Sequence, residues 1–264
     1  MAEEKHRSYS SLGNIALVNF GEDVKLSEKK KFAEYILSTN KSVKTVLEKS
    51  KNFFGRLRTI KTNYLAGEKN KEVLYKENGC EFRFHIEESY FSPRLSNERK
   101  EVAELVKKGD KVLVCFAGVG PFSIVIAKNS SAKIVYSNEL NRKANEYAKL
   151  NIERNKVKDK VILVPGDIKK VAEKLKENKK KFDLIVMPRP NLKDSFLSSA
   201  FSLSKSGTRI IYYGFGKIDE IDLHVDLIKS EAKKAKKKIK ILGKKIAGEI
   251  APFKARSRIY FKVL

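Results

Sequence analysis

The chain has 264 residues, with 57 Lys and Arg against 32 Asp and Glu and a formal net charge of +25. Its 41% hydrophobic content suffices for one large domain or two smaller ones. No apolar run approaches the ~20 residues of a membrane span, which excludes an integral helical membrane protein. A charge of this size attracts polyanions over a Debye length, so nucleic acid is the leading partner.

The opening Met1-Ala2-Glu3-Glu4-Lys5 lacks the form of a signal peptide, and a cytoplasmic protein is expected. Asn14 to Phe20 alternates like a strand. Ser27 is a candidate cap for a helix carrying Phe32, Ile36 and Leu37 on one face. Val43 to Leu47 reads as a second strand. Residues 56–65 and 71–76 read as two more, with Ala66-Gly67 as the turn between them. Glu77-Asn78-Gly79 is a strong turn signal leading into the alternating strand Cys80 to Ile86. These elements predict a small α+β domain over 1–96.

From Asn97 the period changes. A helix from Glu98 to Val106 is followed by alternating strands and helices over 111–116, 121–129, 132–137, 141–154, 160–164, 169–177, 182–187, 193–204 and 207–213. That alternation predicts a parallel sheet with helices on both faces, forming a second domain over 97–264. Residues 219–233 read as helix. Lys238 to Leu242 and Ser257 to Val263 read as an antiparallel pair closing the sheet. Cys80 and Cys115 have no metal-ligand spacing, so buried free thiols are expected and no metal. The lysine runs at 179–181 and 233–238 read as solvated helix ends.

The most informative run is Val112-Leu113-Val114-Cys115-Phe116-Ala117-Gly118-Val119-Gly120-Pro121-Phe122. An apolar strand enters a glycine turn that opens a helix. Glycines there let backbone lie close to a ligand, and the helix N-terminus offers free N–H groups. The next strand ends at Glu139, the offset expected for a carboxylate that grips ribose hydroxyls. Proline follows the second glycine and no third glycine opens the helix. That favours a nucleotide-like ligand without a pyrophosphate, S-adenosyl-L-methionine being the commonest. In Pro165-Gly166-Asp167-Ile168, Asp167 is placed either to take the adenine amino group or simply to cap a helix.

Three segments resemble one family: Gly55-Arg56-Leu57-Arg58 with Tyr64-Leu65-Ala66-Gly67; Glu77-Asn78-Gly79-Cys80 through Tyr90-Phe91-Ser92-Pro93-Arg94-Leu95-Ser96-Asn97-Glu98-Arg99; and Phe116 to Phe122. In order and spacing they resemble the archaeal and eukaryotic tRNA guanosine-37 methyltransferases and their wyosine-pathway relatives, over roughly residues 11 to 264. The resemblance implies a Rossmann-like class I S-adenosylmethionine-dependent methyltransferase with a smaller N-terminal α+β domain. It implies a cofactor site at Phe116, Ala117, Gly118, Val119, Gly120, Pro121, Phe122, Glu139, Leu140, Asp167 and Ile168. It puts Glu98 in the position of a catalytic base and Arg58 in that of a cation facing charge that builds on O6 of the base. Tyr90, Arg94 and Arg99 would line the pocket or brace the Glu98 carboxylate.

Two departures from the family pattern matter. After the strand Asp183 to Met187, the guanine N1-methylating members show Asn-Leu-Pro, whose amide helps hold the base. Here the triplet is Pro188-Arg189-Pro190, and proline has neither a side-chain donor nor a backbone N–H. That triplet resembles an archaeal subgroup that methylates carbon 7 of 4-demethylwyosine at position 37 of tRNA(Phe), giving isowyosine. These three residues are therefore expected on the substrate side. The second departure is length: longer members carry a further N-terminal domain that grips the outer corner of tRNA. Recognition by residues 1–95 and the basic surface would give looser dependence on tRNA shape and stronger dependence on salt. The favoured expectation is a monomeric, cytoplasmic methyltransferase acting on the anticodon loop at position 37, without a membrane. Guanosine-37 N1-methylation, alone or as a dual activity, is the alternative. Transfer of an aminocarboxypropyl group and non-catalytic RNA binding are less favoured.

Overall fold

A computed structural model describes residues 9–49 and 59–264. The chain divides into two compact units, 1–93 and 94–264. In the first unit β1 (Tyr9–Leu12) and β2 (Ile15–Val18) form a hairpin, and α1 (Leu26–Thr39) crosses to β3 (Thr45–Lys49), which lies parallel to β2. β4 (Thr62–Gly67) completes a four-stranded sheet in the order β1-β2-β3-β4. Ala33 and Ile36 of α1 bury against Ala16, Val18, Val46 and Leu65, with Phe32 and Leu37 packed alongside as the helical period requires. Ser27 does not cap α1. The helix starts two residues earlier than a Ser27 cap would place it, with the Lys25 carbonyl accepting from Glu28 and Lys29 N–H at 3.0 and 3.1 Å.

Ala66-Gly67 is not the expected turn either. Gly67 pairs with Thr45 at the end of β4, and the connection to β5 (Glu72–Glu77) follows it. β5 and β6 (Cys80–His85) form a separate hairpin through Asn78 and Gly79, both at positive φ as such a two-residue turn demands. Phe91 packs on Tyr75, Phe82 and Phe84, with its ring stacked on Phe84 at 4.8 Å.

The second unit is a seven-stranded sheet. After α2 (Ser96–Glu104) come β7 (Lys111–Cys115), α3 (Pro121–Asn129), β8 (Ile134–Glu139), α4 (Arg142–Arg154), β9 (Val161–Pro165), α5 (Ile168–Glu177), β10 (Phe182–Met187), α6 (Leu197–Ser202), β11 (Ser204–Lys217), α7 (Ile221–Lys234), β12 (Ile239–Ala251) and β13 (Lys254–Val263). The order across the sheet is β12-β13-β11-β10-β7-β8-β9. β13 is antiparallel to both neighbours and the five strands from β11 to β9 are parallel. Strands buried on both faces read as continuous apolar runs. Leu113, Cys115, Ile185 and Met187 face a cluster with Ile168, Phe196, Phe201, Val225 and Ile228. Val112, Val114 and Tyr213 are buried on the other side. Both cysteines are free and buried, and burial pushes the Cys115 thiol up to about 12.

Candidate active site

The sheet order places a topological switch beside β7. The chain steps from β7 to β8 and β9 on one side, then returns to β10 on the other. Ligands of open α/β sheets bind in the crevice at the carboxyl ends of strands at such a point. The segments predicted to hold the cofactor lie along that edge: the 116–122 loop after β7, Glu139 and Leu140 at the end of β8, and Asp167 and Ile168 after β9. Pro188-Arg189-Pro190 follows β10 on the same edge.

The loop after β7 is held in a shape that ordinary residues resist. Phe116, Gly118 and Gly120 all have left-handed φ, at +59°, +58° and +89°. A Cβ on Gly120 would also lie 3.1 Å from Ile124 Cδ1. The fixing contacts come from neighbouring strands and helices. Ala117 N–H donates to the Asn138 carbonyl at 2.8 Å, and Gly118 N–H donates to Glu139 Oε2 at 2.8 Å. Asn151 of α4 donates to the Val119 carbonyl at 3.1 Å, and Asn138 Nδ2 ties β8 to the Val164 carbonyl of β9 and to the Gly166 carbonyl just beyond it. None of these asparagines was singled out in the sequence. A buried Asn at strand end and helix face is their only signal, and it becomes readable once the topology is known.

Glu139 accepts from three backbone N–H groups, those of Gly118, Leu140 and Asn141. Burial nonetheless dominates and raises its pKa above the ordinary carboxylate value. A carboxylate held with unfavourable desolvation and still partly open is suited to a ligand offering further donors. Asp167 caps α5, its carboxylate accepting from Lys169 N–H at 3.0 Å, and remains half-buried. Leu140 is exposed.

Glu98 and Arg99 lie on the inner face of α2, only 4% and 1% exposed. The partners of Glu98 come from the far end of the chain. Lys245 of β12 pairs with its Oε1 at 2.5 Å. Arg258 of β13 and the Tyr213 hydroxyl of β11 both donate to its Oε2, at 3.1 and 2.9 Å. Lys245 and Arg258 also hold Glu101, one turn along α2, at 2.6 and 2.9 Å. The Lys245 hydrogen bond, with help from Arg258 and against desolvation, keeps the Glu101 carboxyl below the usual range. Burial, then the facing Glu98 charge, raises the Tyr213 hydroxyl well above its ordinary value. The sequence could not reveal Tyr213, Lys245 or Arg258, because nothing local marks a partner more than 100 residues away. Arg99 lies over the Phe122 ring at 5.7 Å, and Phe122 packs on Tyr213 at 6.0 Å. The acidic cluster is thus joined to the first turn of α3 by direct packing.

The remaining expected residues divide. Arg94 is exposed on a 3₁₀ turn, Pro93–Leu95, and Tyr90 is half-buried in the first unit. Arg58 lies outside the described residues. Arg189, expected on the substrate side, is only 7% exposed. It turns inward, donating Nη1 to the carbonyls of Pro190, Leu192 and Asp194 at 2.9, 2.9 and 3.2 Å. Its guanidinium lies over the Tyr212 and Phe215 rings. Two flanking prolines remove backbone donors, and the buried arginine supplies the donors that organise the loop. Pro188 and Pro190 themselves stay half-exposed.

A seven-stranded sheet of this order, with a glycine loop after its central strand and a carboxylate after the next, defines a Rossmann-like methyltransferase. More narrowly, the chain belongs to the TRM5/TYW2 family of S-adenosylmethionine-dependent methyltransferases. The TRM5/TYW2 methyltransferase domain matches residues 73–242 and the TYW2 N-terminal domain matches residues 1–70. The chain is 35% identical to the tRNA (guanine(37)-N(1))-methyltransferase Trm5b of Pyrococcus abyssi, over 97% of this chain and 74% of that protein. It is 32% identical to the tRNA (guanine(37)-N(1))/4-demethylwyosine(37)-methyltransferase Taw22 of Nanoarchaeum equitans, over 96% of this chain and 98% of that one. The solved complex of aTrm5 with tRNALeu superposes with a TM-score of 0.85 at 29% identity, covering 97% of this chain and 72% of that chain. The family, fold class and enzyme class expected from the sequence are all borne out. Among the described residues no helix is long and apolar enough to cross a membrane.

Proposed function

We propose that this protein methylates the base at position 37 of tRNA, with carbon 7 of 4-demethylwyosine as the acceptor and isowyosine as the product. The observation that carries this choice is Pro188 at the carboxyl end of β10. It presents an apolar, donor-free ring where an amide would orient guanine, and a tricyclic base gains more from such a stacking surface than a guanine does. The Taw22 relative, whose name covers both bases, supports the same reading and keeps guanosine-37 N1-methylation as the second activity to test.

The residues present fit S-adenosylmethionine. Gly118 leaves the loop without a Cβ where the cofactor's amino acid part would lie against backbone, and Gly120 lets the loop turn tightly against Ile124 and Ala148. Glu139 has lone pairs left for ribose hydroxyls, and Asp167, Leu140 and Ile168 would frame the adenine. The cofactor, when bound, supplies an electrophilic methyl carbon on a sulfonium, which needs an aligned acceptor more than activation. The chain must then dispose of one proton from the base for each methyl gained. Glu98 is the proposed acceptor of that proton. Tyr213, Lys245 and Arg258 position its carboxylate, so a proton arriving at Glu98 displaces contacts from a defined cluster rather than from bulk water. Arg58, Tyr90 and Arg94 are proposed to contact the substrate RNA.

The test is mass spectrometry of nucleoside 37 after reaction with tRNA bearing either guanosine or 4-demethylwyosine. One methyl gained on 4-demethylwyosine is expected. Methylation of guanosine alone would refute the isowyosine assignment, and gain of an aminocarboxypropyl group would refute methyl transfer.

A further inference from the structure

The hairpin joining β12 and β13 ends in the two-residue turn Pro252-Phe253, with Ala251 paired to Lys254. Phe253 occupies a left-handed conformation at φ +58°, which glycine adopts freely and a bulky aromatic does not. It is also 82% exposed, more than any other large apolar side chain among the described residues. The fold therefore bears local strain at this position and gains no burial from it. Such a residue is better explained by something outside the chain.

Three features indicate what that is. The first is position. β11 runs parallel to β10, and Met187 at the end of β10 pairs with Tyr212. β11 then continues five residues further to Lys217, which pairs with Lys254. The turn thus projects about 17 Å beyond the end of β10 at ~3.3 Å per residue, on the edge that carries the glycine loop. The second feature is charge. Lys217 and Lys254 are exposed and directly opposite on the ladder, an arrangement of like charges that destabilises a strand pair and that Glu220, 3.8 Å from the Lys217 ammonium and itself solvated, offsets only in part. A phosphate between them would remove the repulsion. The third is the apolar rim: Ile218 and Ile250 flank the turn, both exposed.

We infer that the β12–β13 turn is a nucleotide-stacking finger, with Phe253 stacking on an unpaired base of the substrate RNA and Lys217 and Lys254 holding the adjacent phosphate. A bare aromatic face with paired cations beside it is the arrangement that binds single-stranded nucleic acid. Its distance from the strand ends assigns it to a loop nucleotide flanking the target rather than to the target base. The inference rests on the reading that the substrate is an RNA.

The experiment compares full-length chains by titration with an unmodified tRNA transcript, with cofactor affinity and thermal unfolding followed in parallel. Phe253→Gly relieves the left-handed strain, so its unfolding midpoint should equal or exceed that of the wild type. Its tRNA affinity should fall about 10-fold, as loss of one base–aromatic stack does. Phe253→Trp should retain affinity within about twofold of the wild type, since any base stacks on an indole. Lys254→Ala should lower the salt slope of binding by roughly one phosphate contact, and Phe253→Gly should leave that slope unchanged. Unchanged tRNA affinity in Phe253→Gly overturns the finger. So does a change confined to self-association in sedimentation. Failure of the wild type to bind any tRNA would instead refute the proposed function.

Discussion

At the end of β8, Glu139 is ionisable, largely desolvated and the proposed holder of the cofactor ribose. Because burial raises its pKa, the folded state holds the proton more tightly than the unfolded chain does. Stability attributable to this group therefore falls as pH rises from the ordinary value of 4.5 through the raised one, and is lowest at neutral pH. Glu139→Gln is expected to raise the unfolding temperature of the cofactor-free protein at pH 7. That gain should vanish below pH 4.5, while cofactor affinity by calorimetry should drop at least about 10-fold. Glu101 behaves in the opposite sense. Its pKa is lowered by Lys245 and Arg258, so its contribution is present above 4.5 and lost as pH falls through the depressed value. Lys245→Met should shift this acid limb upward. If Lys245 positions Glu98 for proton transfer, the same variant should lower kcat about 10-fold with little change in KM for tRNA. Equal losses in stability alone, with kcat intact, would assign Lys245 a purely structural role.

Side-chain clamps, as well as the strand ladder, tie together the elements that build the site. Arg209 of β11 pairs with buried Asp110 and donates to the Leu105 carbonyl at the end of α2 at 2.5 Å. This clamp fixes α2, and hence Glu98, against the sheet. Replacing Arg209 with Leu leaves Asp110 buried without its cation, a change that typically costs about 3–5 kcal/mol. Chemical denaturation should show that loss, together with weakened activity. The glycine loop makes the second element-scale prediction. Gly120→Ala places a Cβ 3.1 Å from Ile124 Cδ1 at a left-handed φ. About 1–2 kcal/mol of destabilisation is expected, with reduced cofactor affinity.

Across the whole molecule the net charge of +25 governs how RNA approaches. If the protein contacts about six phosphates, raising salt from 50 to 200 mM should weaken tRNA binding on the order of 10³-fold, because the counterions released on binding gain less entropy in concentrated salt. Cofactor affinity should move little over the same range. A flat salt response for tRNA would mean that the charge serves something other than RNA binding.

Much of this architecture was legible from local patterns. Apolar runs 111–116, 132–137 and 182–187 mark strands buried on both faces, Asn78-Gly79 marks a hairpin, and Gly118 and Gly120 mark a loop that side chains would block. Such signals are short-range, because propensity, period and left-handed φ are properties of neighbouring residues. Two expectations failed locally as well: Ser27 lies inside α1, whose first turn bonds back to the Lys25 carbonyl, and Ala66-Gly67 belongs to β4, where strand pairing overrides turn propensity. Tertiary structure decided what the long-range contacts decide. It turned Arg189 inward onto its own loop. It also brought Lys245 and Arg258 onto Glu98 from more than 140 residues away. A buried charge is stable only where its partner stands, and where that partner stands is fixed by the order of strands in the sheet, which no single stretch of sequence records.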